Sequence, residues 1–390
     1  MNPFGRAWRD KFYLDPAVVY LNHGTVGVTP IEVLEAQQQI VRAIERHPSR
    51  YLLRELTEVG AGRADGGPPH LRVAAERVAA FLGVDGRDLV FVDNASTGVN
   101  AVLRSFPLQR GDTIALTRYG YGSVQLAAQA VAERVGATVA VIGMPFPVRS
   151  PAEVVAAFDA GLPPGTRLAI VDHIASDTGL LLPIAEIAAI CRARGVVLLV
   201  DGAHAPGSID LDIDALGADL YTANLHKWMW TPRSSGILWA KREHQAWLQP
   251  VVTSWGASFP ASFDLPGTRD PSAHLAAPAA LDLLERVGVA AVRDHNHALV
   301  WAGARRLAER WGTELVTPES MVASMVAVPL PARLGTTREA ALALRFWLQD
   351  THNVELHVGA DGERMWARVA GQVYVTPDDF ERAGDAVLAR

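Results

Sequence analysis

Seven short apolar segments alternate with helical patterns between about residues 85 and 242, and this alternation constrains the fold more than any other feature. The segments are DLVFVDN, TIALTRY, TVAVIGM, RLAIVDH, GVVLLVDGAH, LYTANLHK and SGILWAK. Short apolar runs bounded by turn residues, with helices between them, are typical of a mainly parallel sheet that is covered on both faces. The sequence therefore predicts an α/β layer domain at the centre of the chain.

The pattern changes after about residue 262. Long helices rich in Ala, Leu and Arg follow, and short strands come near the C-terminus. We interpret this part as a smaller α+β domain. The predicted division is a large domain over residues 17–262 and a small domain over residues 263–390, which residues 1–16 join.

Charge and hydropathy exclude several classes of partner. The net charge is -6, and no long run of Lys and Arg occurs that would suit a phosphate backbone. The first residues, MNPFGRAWRDKF, have no apolar signal-peptide core, and no apolar run approaches the roughly 18 residues of a membrane span. We expect a cytoplasmic protein with neither a nucleic-acid nor a membrane partner.

Polar residues follow several of the predicted strands, at the edge where open α/β sheets bind ligands. In FVDNASTGVN, Ser96 and Thr97 stand at a helix start, and Gly98 allows close backbone approach. A hydroxyl pair in this position suits a phosphate group, although it also suits an ordinary helix N-cap.

Two further segments place ionisable groups at the same edge. LLVDGAHAPG ends an apolar strand with Asp201 and His204, and LYTANLHKWMW ends the next strand with Lys227. Asp201 alone is equally suited to capping a turn. A buried amine, a carboxylate and a phosphate site together suit pyridoxal 5′-phosphate, whose aldehyde bonds to a lysine. The sequence therefore predicts that Lys227 is bonded to this cofactor.

The segment VDGAHAPGSIDLDIDALGADLYTANLHKW resembles the signature of the class V aminotransferase family of fold type I pyridoxal-phosphate enzymes, nearest its isopenicillin N epimerase-like branch. The likeness runs from YLNHGTVGVTP at residues 20–30 to GTRDPSAHL at residues 267–275. The resemblance implies a mainly parallel seven-stranded sheet with a smaller α+β domain, and a homodimer with shared active sites.

The resemblance also implies roles for individual residues around the cofactor. Lys227 would bond to the aldehyde, Asp201 would pair with the pyridine nitrogen, and His204 would lie by the phenolic oxygen. The ring would stack on an aromatic residue in RYGYGSV, where Tyr121 matches better than Tyr119. The phosphate would be held by Ser96, Thr97 and His226, with Gly267 and Thr268 reaching it from the neighbouring subunit.

A small-molecule amino acid is the implied substrate, and no metal is expected. Arg368, in MWARVAGQVYVTPDD, would bind the substrate α-carboxylate through a bidentate fork. Val375 stands where the family usually has asparagine, so Arg364 is an alternative. Asn22 and His23 would contact the substrate from YLNHGTVG, or they would form an ordinary turn.

The only cysteine, Cys191, indicates which reaction to expect. Cysteine desulfurases of the family need a cysteine on a loop shortly before the carboxylate-binding arginine. Cys191 lies far upstream, in IAAICRARG, where helical spacing turns it toward a core. A thiolate can still leave Cβ without a protein thiol, so the leading hypothesis is a carbon–sulfur β-lyase acting on an S-substituted L-cysteine.

Other hypotheses remain open at this point. An amino-acid epimerase, an aminotransferase and a decarboxylation-linked deaminase would use the same residues. A non-catalytic pyridoxal-phosphate-binding regulator is a further alternative, disfavoured by the absence of an appended DNA-binding pattern. The sequence identifies neither the substrate nor the pathway.

Overall fold

The architecture is described from a computed structural model, which covers residues 4–390; residues 1–3 of the predicted small domain lie outside the described residues. The strands are β1 (Val19–Tyr20), β2 (Leu89–Val92), β3 (Thr113–Thr117), β4 (Thr138–Ile142), β5 (Thr166–Asp172), β6 (Val197–Asp201), β7 (Leu220–Asn224), β8 (Gly236–Ala240), β9 (Met325–Pro329), β10 (Val354–Glu355), β11 (His357–Ala360) and β12 (Met365–Ala370).

The helices lie mainly between these strands and after them. They are α1 (Arg6–Arg9), α2 (His23–Val26), α3 (Ile31–Arg46), α4 (Pro48–Arg50), α5 (His70–Phe81), α6 (Ala95–Ser105), α7 (Gly122–Val135), α8 (Pro151–Gly161), α9 (Ile184–Ala193), α10 (Arg242–Gln245), α11 (Ala261–Asp264), α12 (Ser272–Leu275), α13 (Ala277–Val287), α14 (Val289–Trp311), α15 (Arg338–His352) and α16 (Pro377–Leu388).

The seven predicted apolar segments form one seven-stranded sheet in the order β2-β8-β7-β6-β5-β3-β4. All strands run in one direction except β8, which is antiparallel to both β2 and β7. Helices cover both faces of the sheet, which explains why its strands are rich in apolar residues: α6 and α7 pack on one face, and α5, α8 and α9 on the other. The predicted α/β fold is confirmed.

A second layer is formed by the C-terminal part of the chain. Strands β11, β12 and β9 make an antiparallel sheet in that order, and α14 and α15 pack against it. The N-terminal strand β1 pairs in parallel with β10, so residues near the start of the chain share the core of this second layer. The boundary between residues 262 and 263 stays a prediction.

Two local features bear on the predictions made from sequence. The helix α6 begins where the side chain of Asn94 accepts a hydrogen bond from the backbone N–H of Thr97, at 2.9 Å. None of the helices within residues 4–390 combines the length and the apolar character that crossing a lipid bilayer requires.

The single cysteine lies in the apolar layer between α9 and the sheet. Cys191 is 1% exposed, and burial raises the pKa of its thiol to about 12. The thiol is therefore protonated at neutral pH, as expected of a structural side chain.

We expect the variant Cys191→Ser to retain most of the activity and to lose some stability. A hydroxyl without a partner in this apolar layer should lower the free energy of unfolding by about 1–3 kcal/mol. Urea denaturation and turnover of the purified protein check this, with Cys191→Ala as the control that removes the sulfur without adding a polar atom. A folded, cofactor-loaded serine variant with no turnover would show that the thiol takes part in the reaction.

Candidate active site

Polar side chains from three neighbouring strands meet at the carboxyl edge of the large sheet. The strands β5, β6 and β7 end in Asp172, Asp201 and Asn224, and the register pairs Asp172 with Asp201 and Asp201 with Thr222. These ends open into a crevice with a volume of about 280 Å³, to which the C-terminal layer contributes Arg345, His357 and Arg368. The crevice therefore lies between the two layers, as ligand sites in open sheets do.

Lys227 lies at the base of this crevice and is only 7% exposed. Its Nζ is 3.0 Å from His204 Nε2. Burial, together with the charge of Arg368, lowers the pKa of Lys227 to about 7. Burial and the nearby Lys227 also hold the pKa of His204 well below its usual value. At slightly alkaline pH both groups are therefore mainly uncharged, which leaves the amine a nucleophile and a base.

The two carboxyl groups at the strand ends affect each other. Burial raises the pKa of Asp201, and burial together with the charge of Asp201 raises that of Asp172. Asp201 accepts a hydrogen bond from the backbone N–H of Ala203 at 3.0 Å. With both pKa values raised, the adjacent carboxyl groups favour holding a proton or facing a cation. Asp201 is thus suited to a protonated ring nitrogen.

The start of α6 forms one end of the crevice. Ser96 and His226 line it, and His226 Nδ1 donates to the carbonyl of Ser235 at 2.9 Å, which leaves Nε2 for another partner. A Cβ on Gly98 would lie 2.0 Å from Thr222 Oγ1, so glycine is required for α6 to approach the sheet this closely. A helix N-terminus held here favours an anion.

Thr97, predicted to share this anion site, is placed differently. Its backbone N–H and its hydroxyl both donate to the side chain of Asn94, and it does not line the crevice. The N-cap of α6 is Asn94, and its side chain accepts hydrogen bonds from both donors of Thr97, so the phosphate contact of Thr97 stays a prediction.

Arg368 lies on β12 and is 2% exposed. Its Nη2 donates to Thr25 Oγ1 at 2.6 Å and to Asn22 Oδ1 at 3.2 Å, and its Nη1 donates to the carbonyl of Ser176. Burial lowers the pKa of Arg368 to about 10, so it stays charged at neutral pH. Asn22, predicted to contact the substrate, therefore orients this guanidinium.

Arg364, the alternative carboxylate ligand, lies outside the crevice lining. Its guanidinium is 5.8 Å from the centre of the Phe146 ring, and its Nη2 is 3.9 Å from Glu363 Oε2. The geometry therefore favours Arg368 as the residue that meets a carboxylate in the crevice.

The expected substrate contact of His23 needs correction. His23 is fully buried, with Nδ1 2.8 Å from the hydroxyl of Tyr374 and Nε2 3.0 Å from the backbone carbonyl of Lys227. Both ring nitrogens have protein partners, so His23 supports the backbone that carries Lys227 and has no atom left for the substrate.

The two tyrosines of RYGYGSV differ in their exposure and in their access to the crevice. Tyr121 is 46% exposed and lines the crevice, whereas Tyr119 is buried and its hydroxyl donates to the carbonyl of Pro145. Tyr121 is therefore the one placed to stack on a ring.

Gly267 and Thr268 border a separate depression beside Leu52 and Leu71, so their predicted contact across a dimer interface stays a prediction.

Several crevice residues were missed from the sequence. Asp172 follows a buried strand as Asp201 does, so the same strand-end pattern could have identified it. The side chain of Asn224 accepts a hydrogen bond from the backbone N–H of Ala95 at 2.8 Å, which connects β7 to α6. His357 lies 3.2 Å from Asp177, and Arg345 comes from α15; no local pattern marks either as a site residue.

The residues of the crevice fit pyridoxal phosphate. The cofactor needs an amine for its aldehyde, a carboxyl for its ring nitrogen and donors for its phosphate, which Lys227, Asp201 and the start of α6 with His226 would supply. His204 Nδ1 is buried and has no hydrogen-bond partner within residues 4–390, so the protein alone does not satisfy this polar pocket.

Comparisons with known proteins identify the family and the relatives of this chain. The model of the family described as aminotransferase class-V matches residues 69–359. A probable chloroplastic L-cysteine desulfhydrase from Arabidopsis thaliana is 32% identical over 96% of this chain and 83% of its own length. Isopenicillin N epimerase from Streptomyces clavuligerus is 32% identical over 98% of this chain and 97% of its own length.

The fold is also found in solved structures. A cystine C–S lyase in complex with its product, cysteine persulfide, superposes with a TM-score of 0.78, covering 95% of this chain and 97% of that one at 22% identity. The family uses pyridoxal phosphate. The expected cofactor and the expectation of an enzyme are therefore confirmed. By both the family model and its relatives, this chain belongs to the aminotransferase class V family, on its isopenicillin N epimerase-like branch.

Proposed function

We propose that the protein is a pyridoxal-phosphate-dependent carbon–sulfur β-lyase that acts on an S-substituted L-cysteine. The observation that carries the proposal is a buried amine, 3.0 Å from His204 and with a pKa near neutrality, in a crevice that contains no thiol. The pKa of Lys227 is about 7, whereas Cys191, the only cysteine, is buried on α9. The crevice thus offers a base for the Cα proton and nothing to accept sulfur.

Each residue of the crevice has a task in this proposal. When bound, the cofactor supplies an electron-withdrawing ring that stabilises negative charge at Cα of the amino acid. Asp201 would keep the proton on the ring nitrogen, and Ser96 and His226 would hold the phosphate. Arg368, fixed by Asn22 and Thr25, would bind the α-carboxylate and so orient the Cα–H bond.

Lys227 would then remove the Cα proton. His204 Nε2 lies 3.0 Å from the amine and restricts where the Lys227 Nζ can lie. His23 also fixes the backbone of Lys227 through a hydrogen bond to its carbonyl. The bond between Cβ and sulfur breaks as the thiolate leaves. With one water consumed, the products are the free thiol, pyruvate and ammonium, so no oxidant or reductant is required.

The names of the relatives support this reaction without deciding it. L-cysteine desulfhydrases from two plants are 31–32% identical to this chain over 95% or more of its length. Epimerisation is the second candidate, because two bacterial isopenicillin N epimerases are 32–33% identical over 98% of it. We also propose a homodimer in which Thr268 reaches the phosphate across a twofold interface. The cytoplasmic location stays a prediction.

Replacing Asp201 tests its proposed task at the ring nitrogen. We expect Asp201→Asn to lower turnover at least a hundredfold, about 3 kcal/mol of barrier at 1.36 kcal/mol per tenfold, because the amide cannot hold a protonated ring nitrogen as a carboxylate does. Cofactor occupancy, measured by absorbance and phosphate content, should fall much less.

The matched control for this experiment is Asp210→Asn, which makes the same chemical change at a side chain that is 95% exposed. It should leave turnover unchanged. Near-normal turnover in Asp201→Asn would remove the ring-nitrogen role from Asp201.

The reaction itself is tested on a panel of S-substituted L-cysteines. We expect equal amounts of pyruvate, ammonium and free thiol, measured by a coupled dehydrogenase assay and a thiol reagent, with chiral analysis of the recovered amino acid. Racemised substrate without pyruvate would indicate an epimerase, and a keto acid that retains its side chain would indicate an aminotransferase. Carbon dioxide with an aldehyde would indicate decarboxylation, and binding without any product would indicate a regulator.

A further inference from the structure

A second arginine lines the crevice and has no task in the proposed reaction. Arg345 lies on α15, which packs beside β11 in the C-terminal layer, and it borders the same cavity as Arg368 and His357. Its Nε is buried without a hydrogen-bond partner in the structure, and no carboxylate within residues 4–390 forms an ion pair with it. Arg345 is therefore a half-buried cation that lacks a counter-charge.

Among the described residues, the carboxylates of the crevice lie near other basic groups and do not pair with Arg345. Asp177 pairs with His357 at 3.2 Å, and Asp172 and Asp201 stand at the strand ends with Lys227. The charge of Arg345 reaches both of its basic neighbours, since it contributes to lowering the pKa of Arg368 and of His357. Two guanidinium groups, those of Arg345 and Arg368, thus face one part of the cavity, and an anion beside Arg345 would relieve their repulsion.

The known anionic groups of cofactor and substrate do not need Arg345. The phosphate is assigned to the start of α6 with His226, on the large-sheet side of the crevice. The α-carboxylate is assigned to Arg368, which Asn22, Thr25 and Ser176 hold from three directions. Arg345 has no such support, so it is the less rigid of the two and suits a group whose position varies between substrates.

The remaining variable part of the substrate is the group on sulfur. We propose that Arg345 binds a carboxylate at the far end of this group. The preferred substrates would then be S-substituted L-cysteines in which the substituent on sulfur carries a carboxylate. The inference rests on the proposed lyase for the identity of the leaving group. The position of the second carboxylate is inferred from the crevice alone, because a guanidinium group can bind a carboxylate through two parallel hydrogen bonds.

A binding experiment tests the site without any turnover. The probe is 3,3′-thiodipropionate, which has two carboxylates and no amine, and its matched partner carries an amide in place of one carboxylate. By calorimetry on the holoenzyme, we expect the dicarboxylate to bind at least tenfold more tightly. The Arg345→Gln variant should bind the two probes equally, and Arg345→Lys should keep part of the preference.

Arg305→Gln is the control, because it removes the same charge from an exposed position on α14, outside the crevice lining. It should keep the full preference. Equal binding of the two probes to the unaltered protein, or the same preference in Arg345→Gln, would overturn the assignment.

Turnover then tests the substrate class. We expect kcat/KM for S-(2-carboxyethyl)-L-cysteine to exceed that for S-(2-carbamoylethyl)-L-cysteine at least tenfold, and this ratio to approach one in Arg345→Gln. Equal losses on both conjugates would overturn the inference by showing that Arg345 serves the α-carboxylate. If neither conjugate released thiol or pyruvate while the calorimetric preference persisted, the lyase would be wrong and the carboxylate site would stand.

Discussion

The burial of one amine determines how the rest of this site is built. Moving a charged ammonium from water into a protein interior costs several kcal/mol, and the cost is reduced when the group loses its proton. Lys227 lies where its own burial and the charge of Arg368 favour that loss, while Asp201 and Asp172 oppose it. Its pKa therefore lies near neutrality, where an amine acts both as nucleophile and as base.

The two layers of the fold meet around the crevice that contains this amine. The large sheet contributes Lys227 and Asp201 from the ends of parallel strands, and the C-terminal sheet contributes Arg368 from β12. The N-terminal segment lies between them, because Asn22 orients Arg368 and His23 holds the carbonyl of Lys227. A displacement of this segment would therefore disturb the base and the carboxylate site together.

Local patterns in the sequence predicted the large sheet and the residues at its edge. Buried parallel strands are rich in apolar residues, so the seven segments could be recognised in the sequence. A polar residue directly after such a strand lies at the edge of the sheet where ligands bind, whatever the course of the following loop. His23, Thr97 and Arg345 could not be assigned in this way. His23 contacts Tyr374 and Thr97 contacts Asn94, whereas Arg345 lines the crevice and its Nε has no hydrogen-bond partner within residues 4–390. The contact of His23 and the position of Arg345 arise only when distant segments pack.

Reduction with borohydride, followed by peptide mapping, tests the central claim most directly. The account predicts that the purified yellow protein loses its visible absorbance on reduction and that mass spectrometry places one reduced pyridoxyl group on Lys227. A Lys227→Arg variant should bind the cofactor without being labelled. A label on Lys11 or Lys241, the other lysines of the chain, or no label on a cofactor-loaded protein, would contradict the account.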